Sequence, residues 1–246
     1  MRYFREIMSR STSFIKEHGL IENEEGIMVG LSGGKDSMTL LMVLKAFLRH
    51  SKYKYPLAAG YIDLGLGADY SGLENFCKEM EVPFFVEKTD IGAVVFDVRK
   101  EKNPCSLCAK MRRGAVNDLA KRNGYRKVAL GHNREDYVET FLMNLFYAGK
   151  ADTFKPLTYL DRKDITVIRP LLSVPEDLLR RHAQNVSLPV MENPCPADGK
   201  TTREDMRLLL EEIQKKNDLS IELAFRGLER LEIQRLEIQR RKGKEE

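Results

Sequence analysis

The chain has no apolar run approaching the ~20 residues of a membrane-spanning helix, and its N-terminal segment lacks the apolar core of a secretory signal. Those absences predict a soluble, cytoplasmic protein. The opening segment instead places Phe4, Ile7, Met8, Phe14 and Ile15 on one helical face, and Glu6 and Glu17 argue against an acid-poor transit peptide. Cysteine is scarce, with four in 246 residues: Cys77, Cys105, Cys108 and Cys195. A chain of this length buries a full α/β core without disulfide staples, so these four are expected as thiols or metal ligands. An excess of one charge is lacking too. Lys and Arg number 41 against 37 Asp and Glu, and the resulting +4 permits an RNA partner without demanding one.

What stands out is LSGGKDS, Leu31–Ser37, set between the apolar runs Gly26–Val29 and Met38–Leu44. A strand entering a Gly-Gly turn and then a helix suits phosphate, because the helix start leaves unpaired N–H groups and carries the positive end of the dipole. A Walker A loop would need glycine at Val29 and a hydroxyl at Asp36, and G-x-G-x-x-G cannot be laid over Gly30, Gly33 and Gly34. There remain a nest of backbone donors, the hydroxyls of Ser32 and Ser37, the cation of Lys35 and the carboxylate of Asp36. A carboxylate beside bound phosphates makes electrostatic sense when a divalent metal lies between them. The competing reading is a plain helix cap by Ser32 or Asp36. SGGKDS resembles the PP-loop of the ATP pyrophosphatase family, whose members transfer AMP to an acceptor oxygen and release pyrophosphate.

Apolar strand-like runs then alternate with helical patterns, which predicts an α/β fold with an open parallel sheet and helices on both faces. Candidate strands are 26–31, 57–62, 83–87, 127–130 and 165–168, and candidate helices are 36–49, 70–80, 109–122, 135–146 and 176–185. Ligands in such sheets sit beyond the carboxyl ends of the strands, where the loop, Asp63 and Gly131-His132-Asn133 all fall. The expected organisation is an N-terminal helix over 1–24, a catalytic domain over 25–198 and a helical, highly charged appendage over 199–246. That appendage carries a doubled RLEIQ at Arg230–Gln234 and Arg235–Gln239 and is expected to fray at Lys242–Glu246.

Cys105 and Cys108 form a C-x-x-C expected just ahead of a helix. Alone it is open to a redox disulfide, half of a zinc site completed by His132 or Cys77, or two cluster ligands. Cys195, on the turn Asn193-Pro194-Cys195-Pro196, adds a third thiol, and three thiolates suit an iron–sulfur cluster with one iron left open. In the following helix Met111, Ala115, Val116 and Leu119 make an apolar face that also contains Arg112, which must find an anion or a buried carboxylate. Lys110, Arg113, Lys121, Arg122, Arg126 and Lys127 are candidate RNA phosphate contacts or a solvated face. In Gly131–Asp136, Glu135 and Asp136 suit either the dipole of a helix with core stripe Val138, Phe141, Leu142 and Leu145, or a metal, and His132 is equally readable as a satisfied loop histidine.

Taken in order, SGGKDS, PCSLCAKMRRG, ALGHNREDYVETFLMNLFYAGK, IRPLL and the single downstream Cys195 look like the tRNA 2-thiocytidine synthetase branch of the PP-loop enzymes, from about Ile27 to Cys195. The resemblance implies the adenine nucleotide alpha hydrolase-like fold. It also implies ATP bound around Ser32, Gly33, Gly34, Lys35, Asp36 and Ser37, with Asp63, Gly131 and His132 nearby. Magnesium would be held by Asp36 and Asp136, and a 4Fe–4S cluster by Cys105, Cys108 and Cys195. The implied chemistry adenylates a nucleobase carbonyl, cytidine C2 in this branch, and replaces its oxygen by sulfur, with Arg112 between cluster and acceptor. Its implied partners are a tRNA, a sulfur donor (sulfide or a cysteine desulfurase persulfide) and a second copy of the chain as a homodimer. The chain departs from many members in reading Cys195-Pro196-Ala197-Asp198 where they have a second C-x-x-C. It also carries Arg112 where the related uridine thiolases have lysine, and it lacks their zinc fingers. Two further readings are an amine-transferring ligase like lysidine synthetase and a nucleotide-binding scaffold with a structural metal.

Overall fold

The computed structural model describes residues 2–22, 25–100, 104–192, 194–197, 202–217 and 220–242, with the backbone alone for 216, 217 and 233–242. Asn103 and Asn193 beside the cysteine motifs, the boundary expected at 198/199 and the fraying expected at 243–246 lie outside these residues. The chain divides into two compact units, Met1–Asn133 with Lys155–Thr201, and Arg134–Phe154 with Thr202–Glu246.

The first unit is built on β1 (Ile27–Leu31), whose residues are almost wholly buried because β2 (Leu57–Asp63) and β4 (Lys127–Ala129) pair with it in parallel on either side. β3 (Phe84–Lys88) extends the sheet beyond β2, and β6 (Ile165–Ile168) extends it beyond β4, both in parallel. The order is β3-β2-β1-β4-β6-β5. β5 (Leu157–Leu160) corrects the expectation of a purely parallel sheet, since it runs antiparallel along the outer edge of β6. Its Leu157 and Tyr159 are exposed, so it offers no continuous apolar run to read.

Helices cover both faces. α2 (Lys35–His50) buries Met38, Leu40, Leu41, Val43, Leu44 and Phe47 against β1 and is joined by α1 (Arg2–Glu17) and α7 (Glu176–Asn185). α5 (Pro104–Arg122) lies over β2, β3 and β4, where its Val116, Leu119 and Ala120 meet Met28, Ala58 and Val128. Each Val, Leu or Ile removed from water in this way contributes about 1.5–3 kcal/mol. α3 (Ser71–Glu79) and the short α4 (Ile91–Ala93), which runs on into a π-helical turn over Val94–Arg99, complete the crossovers around β3. Because β2 and β4 lie on opposite sides of β1, the chain reverses direction there, and a crevice opens at the carboxyl ends of β1 and β4.

In the second unit α6 (Arg134–Ala148) packs with α8 (Thr202–Asn217) and α9 (Ile221–Lys242). Tyr137 anchors it, its ring edge-on to Phe154 at 5.6 Å and to Phe225 at 5.5 Å. Arg134 pairs with Glu135 at 2.7 Å and with Glu222 at 2.5 Å. The apolar stripe expected on α6 is shorter than its periodicity suggests. Val138 is buried, but Leu145 is 40% exposed, as are Phe146 and Tyr147 beyond it at 66% each. Among the described residues no helix is long and apolar enough to cross a membrane.

Candidate active site

At the end of β1 the chain turns at Gly33, φ 82°, a conformation that favours glycine. The turn is tied internally. Ser37 Oγ accepts from the Ser32 amide at 3.1 Å and donates to the Gly34 carbonyl at 3.0 Å, while Ser32 Oγ accepts from the Gly34 amide at 3.3 Å. Gly34 itself is the N-cap of α2, in extended conformation and with no side-chain cap. The reading of Ser32 or Asp36 as a simple helix cap therefore fails: both hydroxyls brace the loop, and the amides of the first turn of α2 have no capping side chain in front of them.

The end of β4 presses on this turn from the side. A Cβ at Gly131 would stand 2.9 Å from the Ser37 amide nitrogen and 3.0 Å from both the Asp36 carbonyl carbon and the Ser37 Cα, so only glycine lets the two segments approach this closely. Asn133 Nδ2 reaches Asp36 Oδ2 at a long 3.4 Å. Lys35 Nζ lies 3.4 Å from the same oxygen and 2.9 Å from Glu176 Oε1. Burial by itself lowers the pKa of Lys35, but the Asp36 and Glu176 carboxylates outweigh it and the net direction is upward. His132, half-buried, sits between Gly131 and Asn133 on the same loop.

From the other side the segment before Cys195 folds back over the loop. The Met191 amide donates to the Gly33 carbonyl at 2.9 Å, and the Met191 side chain covers Gly33 so closely that a Cβ there would be 2.8 Å from its sulfur. Ser32, Gly34, Asp63 and Arg112 thereby line one cleft of about 230 Å³ together with Tyr61, Met191, Glu192 and Pro194. Asp63 closes its own turn, accepting from the Gly65 amide at 2.9 Å.

The three thiols converge on this region. The C-x-x-C lies inside α5 and not ahead of it, because Pro104 occupies the first helical position, where its missing N–H costs nothing. Burial raises the Cys105 thiol pKa, and the nearby Cys195 raises it further. Burial also raises Cys108, Arg112 opposes this, and Cys195 and Cys105 add to it. Among the described residues no three His, Cys, Asp or Glu side chains close into a single-ion site. Cys195 thus lies near enough to both Cys105 and Cys108 to act on their protonation, which brings the three sequence-predicted thiols to one place. Arg112 also lowers the Tyr61 hydroxyl pKa, against the larger upward effects of burial and of Asp63. Arg112 shares the cleft with Asp63 and Tyr61.

Asp136 lies on α6 in the second unit, where Arg203 pairs with it at 2.7 Å and also donates to Thr140. Lys127 leaves the set of candidate RNA contacts. It is 4% exposed, donates to the Leu20 carbonyl at 3.1 Å and pairs with Glu25. Sequence reasoning missed Glu176 and Asn133 as partners of the loop and Met191 as its cover. Only the closeness of Met191 to Cys195 in the chain could have flagged one of them.

The chain matches the PP-loop domain family over residues 5–213. It is 35% identical over 220 residues to the tRNA-cytidine(32) 2-sulfurtransferase of Geotalea uraniireducens, covering 88% of this chain and 87% of that protein. To the protein of the same name from Geobacter metallireducens it is 37% identical over 222 residues, covering 87% and 85%. Among solved structures, the U34-tRNA thiolase NcsA from Methanococcus maripaludis with its 4Fe-4S cluster matches with a TM-score of 0.73 at 24% identity, over 93% of this chain and 78% of that one. At that identity the likeness speaks for the fold.

Proposed function

The chain belongs to the PP-loop family, among the relatives of the tRNA-cytidine 2-sulfurtransferases, and on that premise we propose that it is an ATP-dependent tRNA sulfurtransferase acting at cytidine C2. The observation that carries this reading is one cleft that joins the phosphate loop to Arg112, one helical turn from the coupled thiols. In the first step the C2 carbonyl oxygen attacks the α-phosphorus of ATP and the bond to pyrophosphate breaks. In the second, sulfur adds at C2 and AMP leaves with the original oxygen. The amides at the start of α2 and Lys35 take up phosphate charge, and Asp36 is the loop's ligand for magnesium. Asp136, which pairs with Arg203, is the second acid of this reading.

Cys105, Cys108 and Cys195 would hold the 4Fe–4S cluster. Three thiolates leave one iron free of protein, and such an iron supplies a position for an exogenous sulfur ligand. Arg112, in the same cleft as the loop, would stabilise negative charge developing on the acceptor base. Cys105 and Cys108 are disposed by a single helix, so their spacing is set before any metal arrives. Residues 25–198 form the catalytic domain in this reading. The sulfur donor is sulfide or a desulfurase persulfide, the setting is cytoplasmic and the active species is a homodimer. An amine-transferring ligase would leave three neighbouring thiols beside a phosphate loop without a task, and a scaffold with a structural metal would leave the loop's Lys35 and Asp36 without one. Mass spectrometry of tRNA nucleosides from cells with and without the protein tests the proposal. Loss of 2-thiocytidine on deletion is expected, and an unchanged thionucleoside profile overturns it.

A further inference from the structure

Lys35, the only cation of the phosphate loop, is already engaged. Its Nζ donates to Glu176 Oε1 at 2.9 Å and lies 3.4 Å from Asp36 Oδ2. Glu176 comes from the first turn of α7, 141 residues further along the chain, and the two side chains are 25% and 33% exposed. The pair is therefore sheltered but reachable by a ligand. The glutamate has no need of the pair for the sake of its helix, since a carboxylate in a first turn is favoured by the dipole in any case. A carboxylate oxygen at 2.9 Å takes up the short, charge-assisted hydrogen bond that a phosphate oxygen would take.

We propose that Glu176 is a positioning residue, a carboxylate placeholder that holds Lys35 before ATP binds, yields it to the phosphates and takes it back as pyrophosphate leaves. The inference rests on the reading of the loop as the ATP site and adds how that site lets its product go. Every phosphate entering must displace Glu176 from Lys35, which weakens binding of substrate and product alike. In return, the ammonium is never left half-buried and uncompensated when the anion departs. Asp36 is poorly suited to the same task, because its contact with Lys35 is longer and it is the loop's carboxylate for metal.

The test is calorimetric titration of inorganic pyrophosphate with magnesium into the whole protein, as wild type, Glu176→Gln, Lys35→Ala and the double variant. Glu176→Gln is expected to bind roughly fivefold to tenfold more tightly, the effect of removing a competing charge-assisted bond at a partly exposed site. In steady state it should lower KM for ATP and, through slower pyrophosphate release, lower kcat. Glu176→Asp, which shortens the reach but keeps the charge, should fall between and serves if the glutamine variant folds poorly. In the Lys35→Ala background the substitution should change affinity less than twofold. Equal tightening with and without Lys35 would mean a general field effect and overturn the placeholder. So would unchanged or weaker binding by Glu176→Gln. A wild-type protein that binds no pyrophosphate overturns the ATP-site reading and this inference together, whereas binding that ignores Glu176 overturns only the inference.

Discussion

Gly131→Ala isolates the approach of the segment after β4 to the phosphate loop. The added methyl would meet the Ser37 amide nitrogen at 2.9 Å and the Asp36 carbonyl carbon and Ser37 Cα at 3.0 Å each, all of them backbone. Carbon contacts are comfortable at about 3.5–4.0 Å, so the loop after β4 and the start of α2 must separate by about 0.5–1 Å. No side chain can rotate away to absorb this, and overpacking of the kind costs about 1–3 kcal/mol. For a domain of this size each kcal/mol lowers Tm by about 2–4 °C. The larger effect is on chemistry, because the displaced residues are those that present Asp36 and the α2 amides, and a shift of about 1 Å at a reacting centre can cost ~100-fold in rate. The assays are thermal unfolding and tRNA-dependent pyrophosphate release. Gly114→Ala is the stability control: its Cβ meets nothing within 4 Å, and alanine in a helix interior gains about 0.5–1 kcal/mol over glycine. A Gly131→Ala protein with wild-type Tm and wild-type release would refute the claim that this glycine sets the loop.

Cys195→Ala should abolish an intact 4Fe–4S cluster and all sulfur transfer while ATP still binds the separate loop; a reconstituted variant with full iron content and full thiolation would end the three-cysteine assignment. His182 is 2% exposed and stacked on Phe4 at 5.1 Å, and burial lowers its pKa from 6.5, so the unfolded state takes up a proton first as pH falls. Stability should accordingly drop as pH falls below about 6.5 and level off below the folded-state value, a slope that urea titrations should find missing in His182→Phe. Affinity for tRNA should fall steeply with salt, Arg126→Ala should reduce the log–log slope by about one contact, and Lys127→Ala should cost stability while leaving the slope unchanged.

The parts of this fold that could be read from sequence are those whose cause is local. β1 is an apolar run because it is covered on both faces, and SGGKDS announces itself because a turn into a helix start needs those residue types in that order. The apolar rhythm after the C-x-x-C predicts a helix start at 109, whereas the structure begins that helix at Pro104. Its first turn sets only Leu107 against the core, too little to carry a hydrophobic period. β5 escaped for the opposite reason, since an edge strand buries only alternate residues and four of them give no rhythm to detect. Lys127 looked like one more basic residue of a charged surface, and only the sheet shows that it lies in a buried strand with Leu20 and Glu25 as partners.

The partnerships that no motif announces share one property: they act on the loop from a distance in sequence. Asn133 reaches Asp36 across 97 residues, and Glu176 reaches Lys35 across 141. A motif records which groups a phosphate site presents to its ligand, because those groups are fixed by one short turn. It carries no record of what holds the groups when the ligand is gone, since those partners are supplied by whichever strand ends the topology brings alongside. In this fold they are the ends of β4 and the helix after β6, the two segments nearest β1 on the side away from β2. The charge balance around Lys35 is thus a property of strand order and not of the motif, and the same six residues set in a different order of strands would present the same donors with a different partner for lysine.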